Sequence, residues 1–165
     1  MNWEAIGAVG EILGAAAVLI TLVYLATQVK RSNELSRFNA TKEIVNQFND
    51  LNRLVATDST LRKVLMKTDG LTADEIEQIY NFGMMFCNVW ISAQIAYDND
   101  QLDSETYKAC AKDVSIELTR WPNFRPALEK WLSNYPEHKQ LEIMQPILSD
   151  SGSAQAELES GENDT

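Results

Sequence analysis

The apolar residues form a dense block near the N-terminus, and the rest of the chain is more polar. From Ile6 to Thr27 the sequence reads IGAVGEILGAAAVLITLVYLAT, 22 residues with one ionisable group. A helix of that length is about 33 Å long, enough to cross the ~30 Å core of a bilayer. Trp3 and Tyr24 lie near the two expected headgroup regions, where aromatic rings with a polar edge are favoured. The pattern predicts a transmembrane helix.

The charges beside this segment predict its orientation. No Lys or Arg precedes it, and the leader Met-Asn-Trp-Glu lacks the basic stretch of a signal peptide, so we expect the segment to be retained. Lys30, Arg31 and Arg37 follow it. The positive-inside rule therefore predicts a single-pass protein of the cell inner membrane, with the N-terminus outside and the C-terminal domain in the cytoplasm.

Small residues recur within the segment at alternating spacings of three and four, which places them on one narrow helix face. This small-residue face consists of Gly7, Gly10, Gly14, Ala17 and Thr21. Small side chains let two backbones approach closely, and van der Waals packing is a main source of helix association in lipid. We expect a homo-oligomer formed through this face, although glycine and alanine are also common in spans that do not associate.

Glu11 is the ionisable residue of the segment and lies about 60° from the small-residue face. A charged group at the bilayer centre costs ~2.5–3.5 kcal/mol on insertion scales, and less near the edge. Three roles for Glu11 remain open. Its carboxylate either reaches the outer headgroups, forms a polar contact across a helix pair, or belongs to an ion or proton pathway.

Beyond the segment the pattern predicts an all-α cytoplasmic domain. No alternating β-branched stretch occurs, and apolar residues keep a heptad-like spacing with no Gly or Pro, so we expect the first helix to continue. The residues with this spacing are Leu35, Phe38, Val45, Phe48 and Val55. Cap residues at Thr57-Asp58-Ser59 then predict a short helix through Lys67, ended by Asp69-Gly70.

The next helix is predicted to be the centre of a helical bundle. Thr72 and Glu75 have the spacing of a capping box, and the helix is expected to reach about Tyr97. Its apolar positions cover most of the circumference. They are Ile76, Ile79, Tyr80, Phe82, Met84, Phe86, Val89, Trp90, Ala93 and Tyr97. Plain core is the expected role, and a ligand cavity is the alternative.

Asp98 to Asp103 has oxygen-bearing side chains in the manner of a calcium loop, but Asp103 stands where that loop needs Gly and Ala109 where it needs Glu. We therefore interpret Asp103 as the N-cap of a helix over Ser104–Trp121. Another helix is expected to begin near Pro126. A last short helix, with Leu141, Ile143 and Met144, is predicted between Pro136 and Pro146.

These patterns divide the chain into three parts: a transmembrane anchor at 1–28, a cytoplasmic helical bundle at 29–148 and an acidic tail at 149–165. The tail has almost no large apolar side chains and no basic residue, so we expect it to be disordered.

Composition excludes some functions. A net charge of −10 argues against nucleic acid as a partner. Cys87 and Cys110 lack CxxC spacing and are interpreted as reduced, buried thiols. His138 is interpreted as a solvated side chain. No nucleophile, base and orienting group can be assembled, so we expect no enzyme, catalytic residue, cofactor or metal site.

Three stretches together resemble an uncharacterised family of small bacterial single-pass membrane proteins. They read NWEAIGAVGEILGAAAVLITLVYLATQVKR, YDNDQLDSETY and WPNFRPALEKW, and the resemblance extends over about 2–148. The chain has Asn99-Asp100 where the pattern of that family has a glycine. The resemblance implies an N-terminal transmembrane helix, a helical cytoplasmic domain and a bacterial inner membrane. It implies no activity.

Three functions are compatible with these features. The first is a membrane-anchored interaction or scaffold protein, which self-associates through its span and presents a helical face to an unidentified protein partner. The second is a ligand sensor with a cavity lined by Tyr80, Met84 and Trp90. The third is an oligomeric ion-conducting assembly around Glu11.

Overall fold

Six α-helices and two short 3-10 helices occur in residues 3–149, the part of the chain that this computed structural model describes. The α-helices are α1 (Trp3–Thr57), α2 (Ser59–Met66), α3 (Ala73–Asp98), α4 (Ser104–Arg120), α5 (Phe124–Asn134) and α6 (Gln145–Ser149). The 3-10 helices are Pro136–Gln140 and Glu142–Met144. This region contains no strand, which confirms the all-α prediction. The predicted disordered tail lies, from residue 150 onward, outside the described residues.

Packing divides the chain into two compact units, Met1–Asn39 and Ala40–Thr165. Helix α1 is continuous from Trp3 to Thr57, as the heptad-like spacing predicts. The boundary between the units, after Asn39, is based on contacts between residues, whereas the predicted boundary of the anchor, after residue 28, is based on hydropathy. That anchor boundary stays a prediction.

In the first unit, α1 is a long apolar helix that no other part of the unit covers. Its described side chains are exposed from Trp3 to Asn39. One helix near the N-terminus is long and apolar enough to cross a membrane by length and composition, and none of its apolar stretch is buried. In water, such exposure of apolar surface would be strongly unfavourable.

Polar caps define the start of three helices in the second unit. The Asp58 carboxylate accepts hydrogen bonds from the backbone N–H groups of Thr60 and Leu61 and begins α2. Thr72 and Glu75 form the predicted capping box at the start of α3. Asp103 caps α4, as predicted. These caps satisfy amide groups that a helix leaves without a partner in its first turn.

The segment after α5 differs from its prediction. One short helix with Leu141, Ile143 and Met144 was expected, but the structure has two 3-10 helices followed by α6. Leu141 has an extended backbone that separates the two 3-10 helices, and Pro146 lies in the first turn of α6. Local backbone breaks therefore divide the segment that the proline positions alone suggested to be one helix.

Helix α3 is the centre of the second unit, as predicted, and packs most extensively against α5. The Phe86 ring stands perpendicular to the Phe124 ring, with 5.5 Å between centroids. Gly83 lets α5 approach closely, because a Cβ atom there would lie 2.9 Å from Leu128 Cδ2. Aromatic edge-to-face contacts and a glycine at the closest approach thus fix the α3–α5 pair.

The part of α1 in the second unit buries one of its apolar faces and exposes another. Ile44, Leu51 and Val55 are buried, whereas Val45 is exposed. Of the five residues with heptad-like spacing, Val55 is buried and Phe48 is half-buried against the core. Two apolar faces therefore share this helix, and the sequence pattern alone did not separate them.

Candidate functional site

The small-residue face is an open surface in the first unit. A Cβ atom added at Gly7, Gly10 or Gly14 would meet nothing within 4 Å. Ala17 and Thr21 are exposed, and the Thr21 hydroxyl donates a hydrogen bond to the Ala17 carbonyl oxygen at 2.9 Å. Donation along its own helix satisfies the hydroxyl, so Thr21 can face lipid or another helix without an unmet polar group. Helix α1 brings all five residues together.

Glu11 lies on the same stretch of α1, and its side chain is exposed. Its position one residue beyond Gly10 places it beside the small-residue face. Each of the three roles open for Glu11 is compatible with this position.

A buried polar cluster ties the second unit together around Gln94. The Gln94 carbonyl oxygen accepts hydrogen bonds from the Tyr107 hydroxyl at 2.6 Å and from the Ile143 backbone N–H at 3.1 Å. Its amide donates to the Asp98 carboxylate at 3.0 Å. Tyr107 stacks on Tyr97, and burial raises the pKa of its hydroxyl to about 12. Because the cluster is fully bonded, we assign it to stability.

Two carboxylates of α4 face tryptophan side chains. The Trp90 indole N–H donates to Asp113 at 3.1 Å, and the Trp121 indole N–H donates to Glu117, which also pairs with Arg120 at 3.3 Å. Burial raises the pKa of the Asp113 carboxyl above its usual value, while the bond from Trp90 acts in the opposite direction. Each carboxylate thus accepts a hydrogen bond that holds an indole in place.

The two cysteines are free and buried, as predicted. Burial raises the pKa of the Cys87 thiol to about 12 and that of Cys110 to about 11. Thiols with such pKa values carry little reactive thiolate at neutral pH.

His138 is more enclosed than the predicted solvated side chain. Its imidazole stacks on the Trp131 ring, with 5.3 Å between centroids and 7° between planes, and the residue is half-buried. The connection from Asp98 to Asp103, which has oxygen-bearing side chains in the manner of a calcium loop, is a tight turn between α3 and α4. Asp100 in this turn has a φ of 56°. Hydrogen bonds from Thr106 hold the pKa of the Asp103 carboxyl below its usual value. Residues 3–149 contain no group of three or more His, Cys, Asp or Glu side chains that could hold a metal ion.

Of the residues named for the alternative ligand cavity, Trp90 is fully buried in the core beside Asp113, and Met84 is partly buried against that core. Tyr80 instead lines a groove of about 260 Å³ between the start of α3 and α5. We name it the α3–α5 groove. Its apolar walls are Leu71, Ile76, Ile79, Pro126 and Ala127, and its polar members are Tyr80, Asn123 and Lys130.

Sequence reasoning identified Tyr80 but missed the α5 side of the groove. The groove residues at or near α5 are spaced three and four positions apart, which places them on one face of a helix. They are Asn123, Pro126, Ala127 and Lys130. The small side chains of that face were the available signal, because Pro126 and Ala127 leave room beside α3.

No family model matches this chain, and comparison with curated proteins and with solved structures finds no match to it. The resemblance to bacterial single-pass membrane proteins stays a prediction.

Proposed function

We propose that this chain is a single-pass protein of the bacterial inner membrane whose cytoplasmic helical bundle binds a protein partner. One observation carries the proposal: the apolar stretch of α1 is long enough to span a bilayer, and none of it is buried. A soluble protein buries such a stretch in its own core, whereas the hydrocarbon of a bilayer covers it without protein contacts.

The charge distribution supports an orientation with the bundle inside. Lys30, Arg31 and Arg37 lie on α1 just after the apolar stretch, and their side chains are exposed. The same helix has Glu4 in its first turn and no basic residue before the span. Basic residues are retained on the cytoplasmic side during insertion.

The spacing along α1 supports self-association. The alternation of three and four that defines the small-residue face reaches Leu35 and Phe38 when it is counted on from Thr21. Both side chains are exposed, at 59% and 64%. An average spacing of 3.5 residues is the period of a left-handed helix pair. The same count passes through Tyr24, Gln28 and Arg31. Two parallel copies in one membrane would therefore meet through small residues in lipid and, beyond these polar positions, through Leu35 and Phe38.

A topology experiment tests the orientation. A cytoplasmic reporter fused after Thr165 should be active, and a periplasmic reporter at the same position should be inactive. Replacing both Lys30 and Arg31 by Gln is the matched variant, and it should weaken the preference. Periplasmic activity of the native fusion would overturn the orientation.

An association experiment tests the small-residue face. In a two-helix reporter assay, Gly14→Leu should reduce association sharply, because a large side chain separates the two backbones. Ala16→Leu makes a similar change on the opposite side of the helix and should leave association unchanged. Glu11→Ala should weaken association by only ~0.5–2 kcal/mol if its carboxylate bonds across the pair. Loss of association in Glu11→Ala alone would transfer the role to the carboxylate.

The ligand-sensor hypothesis has one observation in its favour, the α3–α5 groove. The groove combines apolar walls with a few polar groups, which is the usual composition of small-molecule sites.

The ion-conducting hypothesis depends on Glu11. The same Glu11→Ala variant tests this hypothesis when ion flux across the membrane is measured, and the flux should be lost if Glu11 lines the pathway.

A further inference from the structure

The α3–α5 groove has an apolar part and a cationic end. Ile76, Ile79 and Ala127 contribute to the apolar walls, and no acidic residue lines the groove. Lys130 is its charged member. The volume of about 260 Å³ lies just below the range of ~300–1,000 Å³ typical of small-molecule sites, so the groove suits a small, slender ligand.

Lys130 is available to an anion. Its ammonium lies 5.2 Å from the centroid of the Tyr80 ring, and it forms no ion pair within residues 3–149. Nearby Lys67 differs, because its ammonium binds the Glu75 carboxylate at 2.8 Å and holds the pKa of that carboxyl below its usual range. The pairing with Lys67 neutralises Glu75, which directly precedes the groove residue Ile76. The Lys130 ammonium, in contrast, is not neutralised by a carboxylate within residues 3–149.

Tyr80 also lines the groove and carries a hydroxyl group. It accepts a hydrogen bond from the Asn134 amide at 3.2 Å, which leaves its own O–H to donate. The Asn123 amide is held by the Lys67 carbonyl oxygen at 2.5 Å. A cation and a hydroxyl donor together suit a carboxylate, whereas Asn123 mainly joins α5 to the end of α2.

We propose that the α3–α5 groove binds a free fatty acid of medium chain length. The carboxylate would pair with Lys130 and accept a hydrogen bond from Tyr80, while the acyl chain would cover Ile76, Ile79 and Ala127. Charge complementarity selects this occupant over a neutral or cationic amphiphile with the same chain. The inference rests on the ligand-sensor hypothesis and is independent of the orientation of the span.

Isoleucine methyl NMR on the full chain in nanodiscs of zwitterionic lipid tests the proposal. Decanoate, decanol and decylammonium are the probes, and Ile76→Val and Ile79→Val assign the two groove signals. Ile143 and Ile147 are buried elsewhere in the second unit and serve as internal references. Decanoate should shift the Ile76 and Ile79 signals saturably, with the reference signals unchanged. Decanol should bind about tenfold more weakly, and decylammonium more weakly still.

Two variants separate charge from shape. Lys130→Gln should lower the affinity for decanoate to that for decanol, and leave the affinity for decanol unchanged. Lys108→Gln removes an exposed lysine from α4 as the matched control and should change neither affinity. Ala127→Phe should fill the groove and abolish both shifts, with the reference signals reporting whether the fold is kept.

Several outcomes would overturn the proposal. They are no saturable shift at Ile76 and Ile79, equal affinity for decanoate and decanol, and unchanged decanoate binding in Lys130→Gln. A shift caused by anionic lipid in the nanodisc, without fatty acid, would assign the groove to a headgroup instead. A change at Ile76 and Ile79 on removal of 150–165 alone would assign it to the tail. None of these outcomes depends on the topology reporters, so the two proposals fail separately.

Discussion

The apolar stretch of α1 and the central helix α3 are both rich in apolar side chains but have opposite surroundings. Phe86, Trp90 and Ala93 of α3 are buried by the helices around them, whereas the apolar side chains of α1 in the first unit are exposed. Hydrophobic character therefore predicts that the surface of a helix is shielded from water, but it does not predict whether protein or lipid shields it. For α3 the cover is protein, and for α1 we propose lipid.

Polar groups within the two helices show the same difference. Gln94 of α3 is buried, and its oxygen accepts hydrogen bonds from two other elements, through Tyr107 and Ile143, while its nitrogen donates within α3. The small-residue face of α1 has its one hydroxyl bonded within the helix. A protein core supplies partners from other elements, whereas a helix in lipid must satisfy its polar groups internally or against another span.

Removal of the span should give the largest change. We expect residues 32–148 to leave the membrane fraction and to be soluble, strongly helical and cooperative in unfolding, because the second unit has its own caps and core. Sedimentation, circular dichroism and urea unfolding measure these properties. A circular dichroism spectrum typical of a disordered chain would contradict this prediction, because it would show that the bundle folds only when the span is present.

Enlarging Gly83 should disrupt the bundle without affecting the span. Gly83→Leu forces a side chain against Leu128, so we expect the free energy of unfolding to fall by about 1–3 kcal/mol, the usual effect of overpacking a core. Asn88→Leu adds a similar side chain at an exposed position of α3 and is the control. Equal stability of Gly83→Leu and the native chain would show that α5 can move away freely.

Asp113→Asn should have a smaller effect, and one that depends on pH. Folding raises the pKa of this carboxyl, so its ionised form destabilises the fold above the folded pKa, and this penalty vanishes below the unfolded pKa of ~3.9. Asn keeps an oxygen for the Trp90 N–H and removes the charge. The variant should therefore be more stable than the native chain at pH 7, with the difference shrinking on acidification.

Urea unfolding from pH 3 to pH 8 measures this difference. Asp50→Asn is the control, because Asp50 is exposed on α1. A lower stability of Asp113→Asn at neutral pH would mean that the charge strengthens the Trp90 contact more than burial penalises it.

Phe38→Ser should have the smallest effect on folding. Phe38 is exposed in the first unit, so the free energy of unfolding of the bundle should change by less than about 0.5 kcal/mol. Crosslinking in membranes should nevertheless show weaker self-association. Val29→Ser, an exposed apolar residue outside the three-and-four spacing, is the control. Equal crosslinking of both variants would restrict the proposed interface to the span.

Local signals predicted much of the fold. Asp58, Thr72 and Asp103 begin helices because cap hydrogen bonds involve residues two or three positions apart, and such pairs are visible in a sequence. The segment around Leu141 was predicted less well. Its 3-10 helices depend on how Ile143 and Met144 enter the core, and this is a contact with distant elements.

The candidate sites divide in the same way. The small-residue face follows from residue spacing on a single helix, so the sequence alone determined which residues share it. The α3–α5 groove depends on residues some fifty positions apart, such as Tyr80 and Lys130, and on the close approach that Gly83 permits. The burial of Trp90 against Asp113 likewise required the packing of α3 on α4. Local sequence patterns thus determined most of the helices, their caps and the apolar stretch of α1. Which side chains fill the core and which leave a groove was decided by tertiary packing, because volume is shared between helices that no local pattern connects.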